Sequence, residues 1–173
     1  MTNTAAVNIK ITRGFNRAFF IRILNKMENL IKLLNDSGVD YEIIKNNRKI
    51  YSAQDGAAYF GIEIGQTAPT LILSTDKGLI ALIISGNKDK IDFDELSDKL
   101  GITINGLAKK KDVEKQLGFK PGAIAMAGHN LPTIIDGELY KYDYIYGGTG
   151  DEDLTLKIVP EGLIELNDVI AEI

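Results

Sequence analysis

Residues 70–84 read TLILSTDKGLIALII: two apolar runs, Thr70–Ser74 and Leu79–Ile84, joined by the four residues Thr75-Asp76-Lys77-Gly78. Asp and Gly at such a join are hairpin residues, because they accept the backbone angles a reversal needs. Runs this apolar on both sides suit strands near the centre of a sheet. A central antiparallel pair rules out an all-parallel sheet and points to an α+β chain.

The segments upstream fit that reading. Met27, Leu30, Ile31 and Leu34 fall at helical spacing, with Gly38 as the stop after Ser37. Val39–Ile44 alternates as a strand. Ser52 is a fitting N-cap for a short helix through Ala57, Ala58 and Phe60 that ends at Gly61. Downstream, Asp92 with Glu95 resembles an acidic capping box for a helix ending at Leu100-Gly101. Ile102–Ile104 reads as a short strand, and Asp112 as the cap of a helix stopping at Gly118. Tyr142, Tyr144 and Tyr146 alternate with other residues, as do Leu154, Leu156 and Ile158. Pro160 opens a last helix expected to carry Leu163, Leu166, Val169 and Ile170. The predicted fold is α+β: a mixed central sheet, half-barrel-like, flanked by short helices, without internal repeats or a linker.

Between Gly118 and Asp136 lies GFKPGAIAMAGHNLPTIID. Gly122–Met126 reads as a strand of little bulk, Ala127–Asn130 as a turn, and Pro132–Asp136 as the strand leaving it. Small residues let backbone N–H groups approach a ligand or a neighbouring strand closely. His129, the single histidine, is either a general base or a passenger on a polar turn. Asp136 before Gly137 is either a functional carboxylate or a plain turn residue.

Composition narrows the chemistry. The 173 residues contain no cysteine, which excludes disulfides, thiolate nucleophiles and cysteine-ligated zinc or iron–sulfur sites; one histidine excludes a multi-histidine metal site. Only an all-oxygen site for a hard cation stays open. No apolar run approaches the ~20 residues of a membrane helix. Gly61–Thr67 lacks the lysine and spacing of a phosphate loop, Gly147-Gly148-Thr149-Gly150 is not followed by a helix, and no nucleophile elbow is present.

Net charge is −4, but residues 1–26 hold five basic side chains and no acidic one, leaving 15 basic against 24 acidic in the rest. A body that acidic binds nucleic acid only through a local contact, because phosphate needs Lys and Arg. The first 26 residues are expected to be an extension, a basic arm for RNA or a membrane surface, or an extra helix. Residues 27–173 are expected to form a single domain.

In order, LIKLLNDSGVDYEII, SAQDGAAYFGIEIGQTAPTLIL, LIALIISGNKDKIDFDELSDKLG, GFKPGAIAMAG, LPTIIDGELYKYDYIYGGTG and DLTLKIVPEGLIEL together resemble the YbaK family of aminoacyl-tRNA deacylases. That family includes the editing domain of bacterial prolyl-tRNA synthetases and free-standing trans-editing proteins. The resemblance implies hydrolysis of the ester joining a wrong amino acid to the tRNA 3′ end, prolyl-tRNA first, with aminoacyl-tRNA and a synthetase as partners. It implies no cofactor, no membrane, no DNA and a cytoplasmic setting. Synthetase pockets gain only ~1–3 kcal/mol from one methylene, so a second site must remove near-isosteres.

Carried onto this chain, the resemblance makes Gly122 and Ala123 the backbone donors to the ester carbonyl. It places Thr70, Met126, Ala127, Gly128, Gly147, Gly148 and Thr149 around the substrate. His129 is added as the one nearby side chain able to titrate near neutral pH. The family's lysine position at the first hairpin strand is Pro69 here, its loop proline is Met126, and its basic residues just after the Gly-Gly pair are replaced by Thr149-Gly150-Asp151-Glu152-Asp153. Those departures keep a second class open, a degenerate binding module retaining fold and pocket. A third is a hydrolase of free aminoacyl esters.

Overall fold

The computed structural model describes residues 9–10, 17–18, 21, 25, 27–120 and 122–173. Most of the segment 1–26, and with it the choice among extension, arm and helix, lies outside them. Ten strands form two five-stranded mixed sheets, with five short α-helices among the described residues. The first sheet runs β1 (Ile9–Lys10), β2 (Tyr41–Lys45), β9 (Leu154–Ile158), β8 (Ile145–Gly148), β3 (Thr67–Ala68). The second runs β10 (Asp168–Glu172), β7 (Pro132–Ile135), β5 (Gly78–Ile83), β4 (Thr70–Thr75), β6 (Ile104–Leu107). The fold class is therefore α+β as read, with neither sheet closing into a barrel.

The hairpin forms where the turn residues place it, Thr70 opposite Ile83 through Thr75 opposite Gly78. Only Pro69 separates β3 in one sheet from β4 in the other. Proline has no N–H to give to either ladder, so it fits a point where the chain changes sheets. Its carbonyl still accepts from Ile84 N at 3.1 Å.

Helix α1 (Glu28–Ser37) buries Leu30, Ile31 and Leu34 on the first sheet against Ile43, Ile145 and Leu156. Helix α2 (Ala53–Phe60) starts as read, with Ser52 Oγ accepting from Asp55 N, and stops at left-handed Gly61. Helix α3 (Phe93–Leu100) is capped by Asp92, which accepts from Asp94 N and Glu95 N, and its Leu96 packs with Leu73, Leu82 and Ile134. Helix α4 (Lys110–Leu117) covers the opposite face through Val113, against Ile72 and Ala81.

Five local expectations are corrected. The cap position of α4 is Lys109, with no capping side chain; Asp112 lies within the first turn. Strand β6 starts at Ile104, because Ile102 N still closes α3 onto Ser97 O. Of the tyrosine run only Tyr146 enters β8; Gly137–Lys141 forms a 3₁₀ turn capped by Asp136, and Tyr142 N bonds back to Leu139 O. The last helix, α5, spans only Gly162–Leu166, and Val169 and Ile170 belong to β10, parallel to β7. Asn167 supplies the stop, its Nδ2 donating to Leu163 O and Met126 O at 3.0 Å each. Gly122–Met126 forms no strand: it crosses the end of β8 rather than lying alongside it.

Candidate functional site

That crossing depends on Gly147 and Gly148. A Cβ on Gly148 would stand 2.0 Å from Ile124 O and one on Gly147 2.3 Å from the Met126 sulfur, so any side chain would push the segment off β8. Met126 N then donates to Gly148 O at 3.0 Å. A proline at 126 would have no such donor, so this bond depends on the residue there keeping its N–H. Asn167, on Met126 O, fixes it from the other side.

The loop's amides are unevenly committed. Ala123 N donates to Lys120 O, which removes it from the free donors expected at the site. Gly122 N, Ile124 N and Ala125 N donate to no acceptor among the described residues. Gly122 is exposed and held at φ +82°, a left-handed angle that favours glycine.

Two cavities meet at this loop. The first, about 220 Å³, lies between the start of α2 and the first sheet. Gly56 and Phe60 from α2, Tyr146 from β8 and Asn46 line it, with Gly122, Ala123, Gly147 and Gly148 on the loop side. Phe60 and Tyr146 stack with centroids 5.0 Å apart, and Asn46 Oδ1 accepts from Thr155 Oγ1 at 3.1 Å, giving one apolar wall and one polar wall. The second cavity, about 270 Å³, lies between β4 and the start of α4, lined by Thr70, Leu71, Ile72, Leu107, Lys110 and Ile124 among others. Pro69, Gly122 and Gly148 line both.

The other expected site residues fall elsewhere. Ala127, Gly128, His129 and Thr149 line a third cavity of about 370 Å³ against α1, with Glu28, Gln116 and Asn130. His129 lines neither of the first two cavities. Its Nδ1 accepts from Leu131 N at 3.2 Å, so in the neutral ring the proton sits on Nε2, which is buried without a partner. Burial pushes its pKa down to about 4, so it is neutral at pH 7. Met126 is fully buried beneath Gly147. Thr149 Oγ1 accepts from Asp151 N at 3.1 Å and shapes the turn into β9.

Asp136 turns out to be structural. Fully buried, it accepts from Ser85 N, Glu138 N and Lys88 Nζ at 3.1–3.3 Å, tying the ends of β5 and β7 together. Acidic Glu152 at the first cavity is paired with Lys49 at 3.3 Å. Asn46, Phe60 and Tyr146 were not anticipated as lining: Phe60 and Tyr146 were read only as helix and strand residues, and Ser52 only as a cap. The described residues contain no grouping of three or more metal-ligating side chains, and none of their helices is long and apolar enough to cross a membrane.

The aminoacyl-tRNA editing domain family matches residues 47–166 of the chain. Its fold recurs in several solved structures. A candidate trans-editing enzyme for prolyl-tRNA synthetase is 21% identical with a TM-score of 0.73, over 84% of this chain and 94% of that one. A hypothetical protein is 20% identical at 0.75, over 83% and 97%. A scaffold from computational epitope grafting is 22% identical at 0.72, over 84% and 94%. No curated protein matches the chain.

Proposed function

The chain belongs to the aminoacyl-tRNA editing domain family, and from that premise we propose that it acts in trans as a deacylase, hydrolysing the ester of mischarged tRNA, with prolyl-tRNA bearing a smaller amino acid as the first substrate class. Its setting is the cytoplasm, beside a synthetase whose errors it removes. The observation that carries this reading is the meeting of two cavities at Gly122 and Gly148, beside amides that donate to nothing else among the described residues. An aminoacyl ester has the same two-part form, a side chain on one side and a ribose on the other.

In this arrangement the amino acid enters the first cavity, between the Phe60–Tyr146 wall and the Asn46–Thr155 wall. The ester carbonyl lies over Gly122, and its oxygen accepts from the free loop amides. Water attacks the carbonyl carbon, the carbon–oxygen bond to the ribose breaks, and the ribose hydroxyl leaves with a proton. Charge collects on the carbonyl oxygen in the transition state, where fixed donors in a partly dry site contribute most; removing one such donor costs about 10²–10³ in rate. Gly122 therefore keeps the role the resemblance implies. Ala123 contributes lining and loop geometry, while Ile124 supplies an amide. His129 contributes shape from the adjoining cavity rather than proton transfer.

A degenerate binding module is the second reading, favoured by Pro69, which lines both cavities where the family has a lysine. Deacylation of tRNA(Pro) charged with alanine or cysteine separates the two. Turnover abolished by Pro69→Lys supports a site adjusted to proline, whereas turnover that first appears with Pro69→Lys supports degeneration.

A further inference from the structure

The segment 109–120 holds five lysines, Lys109, Lys110, Lys111, Lys115 and Lys120, against Asp112 and Glu114. In a body that is acidic from residue 27 onward, this is a local reversal of sign. Lys109, Lys110 and Lys111 are exposed, and none is ion-paired among the described residues. They stand at the uncapped N-terminus of α4, where no side chain accepts from the first-turn amides. Helix starts carry partial positive charge and free donors, so this one adds to the lysines.

An independent feature sits beside it. Lys110 lines the second cavity together with Thr70, which is 8% exposed and whose Oγ1 has no hydrogen-bond partner. A buried hydroxyl left unpaired is costly, and a ligand acceptor or donor in the cavity would satisfy it. The cavity is otherwise apolar, with Leu71, Ile72 and Ile124 at its wall and Leu107 at its rim, 60% exposed. An apolar wall, one unsatisfied hydroxyl and a cationic lip suit a nucleoside attached to phosphate.

We propose that Lys109–Lys111 at the start of α4 bind the backbone phosphates of the single-stranded tRNA 3′ end, with the terminal nucleoside against Leu107 and Thr70. The cation absent at position 69 is thereby supplied from a different element, about the same cavity. This rests on the editing reading for the identity of the RNA, but its test does not require turnover.

The test is fluorescence anisotropy of an uncharged RNA hairpin ending in single-stranded CCA, titrated across a salt series. The charge-neutralised variant K109Q/K110Q/K111Q is compared with K32Q/K77Q/K90Q, which removes the same net charge at exposed positions on other elements. The first variant weakens binding and lowers the slope of log K against log salt by about 0.7 for each single-strand phosphate that the lysines neutralise; the second leaves the slope unchanged. A blunt hairpin lacking the CCA end should show no difference between the two variants. Equal effects of the two variants, or none from either, overturn the proposal. So does an unchanged difference on the blunt hairpin, which would assign the patch to the duplex instead. A slope difference without deacylation of any charged tRNA would sink the enzyme and leave the RNA site standing.

Discussion

Replacing His129 separates a buried structural ring from a catalytic one. Its folded pKa is about 4 against an ordinary value of 6.5. The unfolded chain thus takes up a proton between those values that the folded chain refuses. Stability from this group is complete above pH 6.5 and drains away as pH falls toward 4. At pH 5 the linkage amounts to about 2 kcal/mol, against almost nothing at pH 7. Asn is the appropriate replacement, because its Oδ1 can still accept from Leu131 N, as Nδ1 does at 3.2 Å. Urea unfolding at pH 7, 6 and 5, above the range where ordinary carboxylates titrate, gives the comparison. Wild type should lose about 2 kcal/mol more than His129→Asn over that interval. Deacylation by the variant at pH 7.5 should stay close to wild type when scaled to folded protein. Parallel loss of stability in both proteins would refute the buried neutral ring. Loss of turnover with intact stability would return His129 to the chemistry.

Gly148→Ala forces a Cβ to within 2.0 Å of Ile124 O, a backbone atom with no rotamer to yield. Overpacking of this kind costs about 1–3 kcal/mol, and displacing the loop by an ångström costs about a hundredfold in turnover. Gly137→Ala, whose Cβ would meet nothing nearer than 3.5 Å, should leave both unchanged, so equal behaviour of the two variants contradicts the steric argument. Asp136→Ala strands the buried Ser85 N–H and removes the partner of Lys88. It should cost about 1–3 kcal/mol in urea unfolding, the penalty of the stranded N–H, because Lys88 still reaches solvent, and it should not alter turnover per folded molecule.

The hairpin, α1, α2 and β9 were legible because each is specified locally: a turn sequence, a helical stripe, a Ser52 cap, a strict alternation. Val169 and Ile170 misled because they continue the helical spacing of Leu163 and Leu166. What ends that helix is Asn167 reaching Met126, 41 residues away in the chain, and no local pattern reports it. The glycine loop was legible as a place of close approach but not as an irregular crossing, since the constraint is Gly148 against Ile124 O. His129 looked like a neighbour of the loop from sequence distance alone. The bend at Gly128, with φ +80°, and at Asn130, with φ 57°, accompanies its side chain into a different cavity. The far wall of the first cavity was hidden for the same reason: Asn46, Phe60 and Tyr146 meet the glycine loop only in three dimensions.

Deacylation of a panel of mischarged tRNAs, with tRNA(Pro) bearing alanine or cysteine at its head, bears on whether the Gly122 junction is an ester-hydrolysing site. Release of amino acid from at least one member above the buffer rate, reduced about a hundredfold by Gly148→Ala, is the predicted result. Buffer-level release from every member by folded, RNA-binding protein would contradict it.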